Sequence, residues 1–259
     1  MKDNDDYIKN ISFEFKDFSS LKFKQITSAC NEYNLAIIKN FISEDEIIQC
    51  KQIIKDKFNQ FNDSIRQKNE YYKVATNYQR LCVGYGENPG SGEIRNSRLF
   101  RILFNPTFQE DIYKMHSVFE KLIILRNLLY GVNEKFCLTE PEDGVFSCSR
   151  IHQFPKGGGF LQLHKDRDGE ITSKDANLTT FLHPLMIFDQ KGKDFNTGGG
   201  IIKYNDEIIF YEDTLQPGDV AIYNGRTEHG VYNIDKEEIL DLNSFNGRSS
   251  VLVSLFKTP

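Results

Sequence analysis

The sequence lacks several features that would place it in a membrane or secreted class. It contains no Trp, and its most apolar segment, residues 122–130, is short and is interrupted by Arg126. No run is long enough to span a bilayer. The first residues carry charges where a signal peptide would have an apolar core. We therefore expect no membrane partner and predict a cytoplasmic location.

Cysteines are few, and their spacing excludes the common cysteine frameworks. There are five, an odd number, and no two have C-x-x-C spacing. A disulfide scaffold and a structural zinc knuckle are therefore not expected, and reduced thiols are predicted. The five are Cys30, Cys50, Cys82, Cys137 and Cys148.

An excess of basic residues is also missing. The chain has 32 Lys and Arg against 37 Asp and Glu, a formal net charge of −5. This balance argues against a nucleic-acid partner, although it leaves room for a local basic pocket. What the chain does have is 259 residues, of which 39% are hydrophobic and 13% aromatic. That is enough to bury a sizeable core in one large domain.

The N-terminal half predicts two helices. Ser43 with Glu46 three residues later forms a capping box, and apolar residues then recur at helical spacing, which predicts a helix from 44 to about 60. A second helix is predicted from about 108 to 130, with Gly131 as its C-cap. The other expectations are an irregular segment or edge strand over 1–25, a strand at 35–39, and a Gly-rich loop at 84–97 that could close over a site.

The C-terminal half predicts a β-rich structure. Short runs rich in β-branched and aromatic residues are separated by turn signals. They are Phe146–Phe154, Gly159–His164, Leu178–Phe188, Gly200–Tyr204, Glu207–Tyr211, Asp219–Tyr223, Glu228–Tyr232 and Ser250–Lys257. Helices followed by about eight strands predict a mainly β fold of the jelly-roll, cupin-like type. The chain is expected to be a single domain, with 1–145 as a helical buttress with N-terminal strands and 146–259 as the jelly-roll core.

A short histidine–carboxylate motif lies at the end of one predicted strand. His164 and Asp166 are two residues apart, so strand alternation would direct both side chains into one cavity. By the same alternation, Phe160 and Gln162 share the face of His164 and are candidates for substrate contact.

Two later pieces complete the pattern. A Pro-Gly-Asp turn at 217–219 leads into a strand, and His229 begins the next one. Arg248 and Ser250 share one face of the last predicted strand.

The motifs occur in the order H-x-D, a distant His and then Arg-x-Ser on the last strand. In this order the chain resembles the Fe(II)/2-oxoglutarate-dependent dioxygenases over roughly residues 148–257. Residues 36–43 before a helix resemble phytanoyl-CoA-hydroxylase-like members, and 157–161 resemble small amino-acid hydroxylases. The resemblance implies a double-stranded β-helix, with His164, Asp166 and His229 as the facial triad that holds iron. It also implies 2-oxoglutarate and O₂ as co-substrates, with Arg248 and Ser250 binding the distal carboxylate of 2-oxoglutarate.

The carboxylate at Asp166 also separates two subclasses of that family. In its radical halogenases the carboxylate is replaced by Gly or Ala, which leaves a coordination position for chloride. Because Asp166 is present, the resemblance implies hydroxylation of an unactivated C–H bond, with succinate and CO₂ as co-products. The expected substrate is a small molecule, an amino acid or a natural-product intermediate.

Several residues remain open alternatives. Asp168 is a competing carboxylate of the same parity, His152 and His183 lie on predicted strands, and His116 lies in a predicted helix. The less specific substrate candidates are three arginines, which could bind a carboxylate or phosphate, and one tyrosine near the distal histidine. They are Arg98, Arg101, Arg150 and Tyr223.

Two other classes of function use the same fold. A cupin-like metal-dependent isomerase or a ligand-binding protein would keep the histidines but would need no anchor at Arg248. A scaffold on an inactive oxygenase fold would be free to lose a ligand. The sequence leaves a homodimer open.

Overall fold

The computed structural model describes residues 4–60, 64–65, 75–82, 86–87, 94–95, 97–166 and 182–258. The described helices are α1 Asn4–Asn10, α2 Phe23–Tyr33, α3 Glu44–Lys57 and α4 His116–Tyr130. The strands before residue 105 are β1 Ser12–Glu14, β2 Ala36–Lys39, β3 Ser64–Ile65, β4 Tyr78–Cys82, β5 Gly86–Glu87, β6 Ile94–Arg95, β7 Ser97–Arg98 and β8 Phe100–Phe104. The later strands are β9 Val145–Pro155, β10 Gly159–His164, β11 Leu182–Ile187, β12 Gly199–Tyr204, β13 Glu207–Phe210, β14 Val220–Asn224, β15 His229–Ile234 and β16 Gly247–Lys257.

A mixed sheet and an antiparallel sheet form the body of the molecule. The larger has nine strands in the order β1-β2-β14-β11-β16-β9-β8-β4-β3, and the smaller has five in the order β13-β12-β15-β10-β7. From β9 to β16 the chain alternates between the two sheets, with β12 and β13 as the one consecutive pair in the same sheet. This alternation defines a double-stranded β-helix, so the predicted jelly roll is confirmed.

The hydrophobic core lies in two layers. One cluster packs the helices α2, α3 and α4 against the outer face of the large sheet, with Ile37, Leu122 and Val251 fully buried. A second cluster, which includes Phe104, Phe154 and Val231, lies between the sheets. The helices thus cover one face of the large sheet, and its other face is directed toward the small sheet and the interior of the β-helix.

The two predicted helices are present, with a correction at the start of the second. Ser43 accepts a hydrogen bond from the backbone of Glu46, and α3 then runs to Lys57 before a 3₁₀ turn at Phe58–Gln60. The prediction that the second helix begins near 108 is wrong, because α4 begins at His116. Lys114 has a φ of 56°, which an α-helix does not admit, and Asp111 accepts hydrogen bonds from the backbone amides of Met115, the N-cap, and His116.

The N-terminal segment is more regular than expected. The predicted edge strand is β1, which lies at the edge of the large sheet and pairs with β2 in parallel. Helix α2 was not predicted, although Ile26, Ala29 and Cys30 are buried at helical spacing.

The predicted C-terminal strands occur with small shifts at their ends, and β10 has the predicted bounds. Of the predicted strand at 178–188, residues 182–187 form β11 and residues 178–181 lie outside the described residues. In the predicted loop at 84–97, the described pieces are the pair β5–β6 and the start of β7, and the remainder lies outside the described residues. Among the described residues, no helix is long and apolar enough to cross a membrane.

Candidate metal centre

Two neighbouring strands of the small sheet bring the predicted metal ligands together. Strands β10 and β15 are antiparallel, and their register places His164 at the end of β10 directly opposite His229 at the start of β15. Asp166 follows β10, and its backbone N–H donates to the carbonyl of Gly225 at 2.7 Å. This bond fixes the chain at the point where the carboxylate turns toward both imidazoles.

The three side chains form a compact cluster of potential ligands. One ligand atom from each of His164, Asp166 and His229 lies within 4.8 Å of the other two. The Nε2 atom of His164 is 3.5 Å from Oδ1 of Asp166, and that of His229 is 3.5 Å from Oδ2. The two imidazole centroids are 4.5 Å apart. Two nitrogens and one carboxylate therefore converge on one point.

The second nitrogen of each imidazole has a backbone partner. Nδ1 of His164 is 2.8 Å from the carbonyl oxygen of Gln162, and Nδ1 of His229 is 2.8 Å from that of Thr227. Because a carbonyl only accepts, Nδ1 carries the proton in both rings, and the lone pair remains on Nε2. That is the nitrogen directed at Asp166, so both rings are oriented as metal ligands.

Burial and charge favour the ligand forms of these groups. Burial lowers the pKa of His229 to about 4, which keeps its imidazole neutral at neutral pH. Burial alone would raise the pKa of Asp166, but the neighbouring His229 and His164 outweigh it and lower the pKa below its usual range. The site thus holds an ionised carboxylate at Asp166 beside a neutral imidazole at His229, and a divalent cation binds both groups in these forms.

His183 on β11 is a fourth group at this cluster, and sequence analysis did not select it. Its Nε2 lies 3.4 Å from Oδ2 of Asp166, and burial lowers its pKa. The sequence contains no signal for it, because all six residues of β11 are buried and no alternation marks the side that faces the site. The side chain faces Asp166 from the opposite sheet. Asp168, the competing carboxylate, lies outside the described residues.

A cavity between the sheets extends from the metal cluster along β9 and β16. Its wall includes the predicted anchor residues Arg248 and Ser250, together with Tyr223, whose ring centroid is 4.5 Å from that of His229. Both anchor residues are fully or almost fully buried.

The Arg248 guanidinium already has a carboxylate partner, Glu212, which sequence analysis missed. Its Nε donates to both carboxylate oxygens of Glu212 at 3.1 and 3.2 Å, its Nη2 contacts Oε1 as well, and its Nη1 donates to Oγ of Ser250 at 3.0 Å. Burial alone would lower the pKa of Arg248, but Glu212 outweighs it and raises the pKa. That Arg248 and Ser250 bind 2-oxoglutarate stays a prediction.

The expected alternation of side chains fails along β10. Its pairing with β15 shifts register between Gly159 and Leu161 and again before His164. A β-bulge reverses which side chains face inward. Leu161 consequently lines the cavity, whereas Gln162 is exposed and neither Gln162 nor Phe160 is part of the cavity wall. The shared face expected for Phe160, Gln162 and His164 is therefore wrong.

The candidate arginines have separate positions. Arg101 on β8 is not part of this cavity's wall, and it donates to the side chain of Gln153 and to the carbonyl of Leu242. That Arg101 contacts a substrate stays a prediction. Its neighbours on β8, Phe100 and Ile102, line the cavity because they alternate with it. Arg98 is exposed.

Arg150 and two other predicted residues have clear surroundings. Arg150 is half-buried and lines the cavity, as does His152, to which it donates a hydrogen bond. His116 begins α4, where its Nε2 is 3.9 Å from Asp111, and it is not part of the cavity wall.

The residues fit an iron ion better than they fit the distal carboxylate of 2-oxoglutarate. A facial set of two neutral imidazoles and one carboxylate is the donor set of non-haem Fe(II) oxygenases. At Arg248, in contrast, the distal carboxylate of 2-oxoglutarate would be buried next to the Glu212 carboxylate. The single Arg248 guanidinium would then have to balance two negative charges. Burying an uncompensated charge is costly, so the anchor fits the co-substrate only if Glu212 gives way.

Comparisons with known proteins agree on the fold. Neither a known family profile nor a curated protein matches the chain by sequence. Among solved structures, a prolyl hydroxylase from Trichoplax adhaerens, in complex with a hypoxia-inducible-factor peptide, is similar with a TM-score of 0.53 and 12% identity over 91% of this chain and 89% of that one. A prolyl-4-hydroxylase from Pseudomonas putida is similar with a TM-score of 0.50 and 10% identity over 92% and 99%. The chain therefore has the fold of these hydroxylases.

Proposed function

We propose that this protein is an Fe(II)-dependent oxygenase that hydroxylates an unactivated C–H bond of a small molecule, with 2-oxoglutarate and O₂ as co-substrates. The observation that carries the proposal is the convergence of His164 Nε2, His229 Nε2 and the Asp166 carboxylate at one end of a cavity. When bound there, iron with a 2-oxo acid supplies O₂ activation, with succinate and CO₂ as co-products. An amino acid or natural-product intermediate is the proposed substrate class. A cytoplasmic location and a homodimer stay predictions from the sequence.

The protein's own residues supply orientation and exclusion of water. Backbone carbonyls hold both imidazoles with Nε2 directed at the metal position. Leu161, Phe154 and Leu252 give the cavity apolar walls. Such walls exclude water from a reactive centre and leave the substrate's C–H bond facing the metal. The carboxylate at Asp166 completes the triad, which favours hydroxylation over halogenation.

A screen for substrate-dependent co-substrate turnover tests this proposal. Iron-loaded protein with 2-oxoglutarate and O₂ is incubated with pools of amino acids and other small carboxylates, and succinate and product masses are measured. We expect one pool to stimulate succinate formation, and one compound in that pool to gain the mass of one oxygen atom. Both signals should be lost in Asp166→Ala. Iron-bound protein that consumes no 2-oxoglutarate with any pool would contradict the proposal.

One observation favours a second function. Because Glu212 neutralises Arg248, the cavity also suits a cupin-like metal-dependent isomerase or a ligand-binding protein that needs no 2-oxoglutarate anchor. In the same screen, an isomerase would change a substrate without changing its mass, and a binding protein would retain a ligand unchanged.

A further inference from the structure

Three arginines line this cavity, and the guanidinium of the first, Arg80 on β4, lies over the ring of Phe104 at 5.7 Å from the centroid. The other two, Arg150 and Arg248, lie on neighbouring strands and differ in charge compensation. Arg248 on β16 is paired with Glu212. This pair is built into the fold: a Cβ at Gly200 would lie 2.7 Å from Oε1 of Glu212, and one at Gly199 would lie 3.2 Å from Oε2. Two glycines therefore make room for the Glu212 carboxylate, and the Arg248 charge is already balanced.

Arg150 on β9 has only neutral partners. Its Nε donates to Nε2 of His152 at 3.0 Å, its Nη1 to the carbonyl of Cys148 at 3.2 Å, and its Nη2 to Oγ of Ser254 at 3.2 Å. No carboxylate among the described residues forms an ion pair with it. Since a guanidinium has five N–H groups, two remain for a ligand.

The nearest imidazole does not offset this charge. His152 accepts from Arg150 at Nε2, so it is neutral with its proton on Nδ1. Burial, and then the positive charge of Arg150, lowers the pKa of His152 well below its ordinary value. The positive charge at this point of the cavity therefore stays on Arg150.

The surroundings of Arg150 are mostly apolar. Its guanidinium lies over the ring of Phe256 at 5.4 Å from the centroid. Phe104 on β8 and Leu252 on β16 are its cross-strand partners, and all three apolar side chains line the cavity. Low-polarity walls strengthen an ion pair, and they favour a ligand with an apolar body next to its charge.

We propose that Arg150 is the anion-binding residue of this cavity and that it holds a carboxylate of a small ligand with an apolar body. The inference deepens the proposed function, because it uses that function only to identify the cavity as the active site. The carboxylate can belong to the substrate or to the distal end of 2-oxoglutarate, and both sources offer the same chemistry to the guanidinium.

Calorimetric titration of the iron-loaded protein without O₂ tests the anion site, since a chain without Trp offers no indole fluorescence. The probes are butyrate and butyramide, which have nearly the same shape and differ in charge. We expect the wild type to prefer butyrate by about tenfold or more, as for a charge-assisted hydrogen bond pair. Arg150→Gln should lose this preference, and Arg98→Gln, at an exposed arginine, should retain it.

Two further arms separate the sources of the carboxylate. A preference for butyrate that persists at saturating 2-oxoglutarate assigns Arg150 to the substrate. A preference for butyrate that disappears at saturating 2-oxoglutarate assigns Arg150 to the co-substrate. In that case Arg150→Gln should bind 2-oxoglutarate more weakly than the wild type and should bind 2-oxopentanoate equally well. Arg150→Lys keeps the positive charge and should retain part of the preference for butyrate. It replaces Arg150→Gln in the titrations if that variant does not fold.

Other outcomes would overturn the inference. The first is a wild type that binds butyrate no more tightly than butyramide, or that binds neither probe. The second is an Arg150→Gln variant that still prefers butyrate. The proposed function fails differently: a protein that binds no iron but keeps the Arg150-dependent preference would contradict the oxygenase and leave the anion site in place.

Discussion

His164 and His229 present the same nitrogen to the same point because each donates its other N–H to the carbonyl two residues before it. This local geometry comes from residues adjacent in sequence, so each ring is oriented before any metal arrives. The Asp166 carboxylate, ionised between the two rings, adds the negative charge that a divalent cation needs. His183 contacts the same carboxylate from the opposite sheet and positions it from the far side.

Glu212→Gln is expected to destabilise the fold. The substitution removes the charge that balances Arg248, which is 1% exposed, and breaking a buried pair on one side costs about 3 kcal/mol. Chemical denaturation measures the loss in the free energy of unfolding. The double variant Glu212→Gln with Arg248→Met should recover part of it, because no unbalanced charge remains buried.

Asp213→Asn is the matched control for this prediction. Asp213 is the next residue, but its side chain is 42% exposed and pairs with Lys191 at the surface, where an ion pair contributes little. Equal stability of Glu212→Gln and Asp213→Asn would show that the Glu212 carboxylate does not balance Arg248.

The sequence predicts the residue types of the site better than their surroundings. The H-x-D spacing, the distant His229 and the strand context together indicate a metal cluster, and the structure brings these three groups together. Glu212 and His183 could not be found in the same way. They reach the site from other strands, and their contacts depend on sheet order and register, which no local pattern encodes.

At the scale of elements, the close packing of β10 on β15 sets the distance between the two histidines. Gly230 follows His229 on β15, and a Cβ there would lie 2.6 Å from the carbonyl oxygen of Leu161 and 3.0 Å from the backbone nitrogen of Leu163. These are backbone atoms that cannot rotate away. The absence of a side chain at 230 therefore lets β10 approach β15.

Gly230→Ala should weaken metal binding by pushing the strands apart. We expect a loss of about 1–3 kcal/mol in the free energy of unfolding, as for other overpacked sites. If half of this free energy is lost from metal binding, the metal affinity falls by about two- to tenfold. Denaturation and metal titration by calorimetry measure the two effects. Gly192→Ala is the control: its φ is +85° but nothing lies within 4 Å of its Cβ, so it should cost about 1 kcal/mol of strain without changing metal affinity. Wild-type metal affinity in Gly230→Ala would contradict this account.

Elements with a strong local signal were predictable, and those decided by tertiary context were not. The short run at 159–164, bounded by turn signals, predicted β10, and the Ser43 capping box predicted the start of α3. The start of α4 depends on the left-handed conformation of Lys114, which its sequence does not indicate. Strand β8 was not predicted: Arg101 interrupts its short apolar run, although all five residues are buried.

At the scale of the whole molecule, alternation between two sheets makes one cavity out of distant segments. The large sheet supplies β9, β11 and β16 with Arg150, Leu185 and Arg248, and the small sheet supplies β10 and β15 with the histidines of the metal cluster. The helices pack on the outer face of the large sheet and supply none of the described cavity residues. The chain has a net charge of −5, yet the cavity wall includes arginines, so the positive charge is local to the site.

The most direct test of the central claim is an anaerobic titration with Fe(II), with and without 2-oxoglutarate, followed by visible absorbance. His164→Ala serves as the ligand variant, and His116→Ala, whose side chain is not part of the cavity wall, serves as its control. We expect a weak charge-transfer band that needs both iron and 2-oxoglutarate, persists in His116→Ala and disappears in His164→Ala. A folded wild type that shows no band at saturating concentrations, or a band that survives in His164→Ala, would contradict the account.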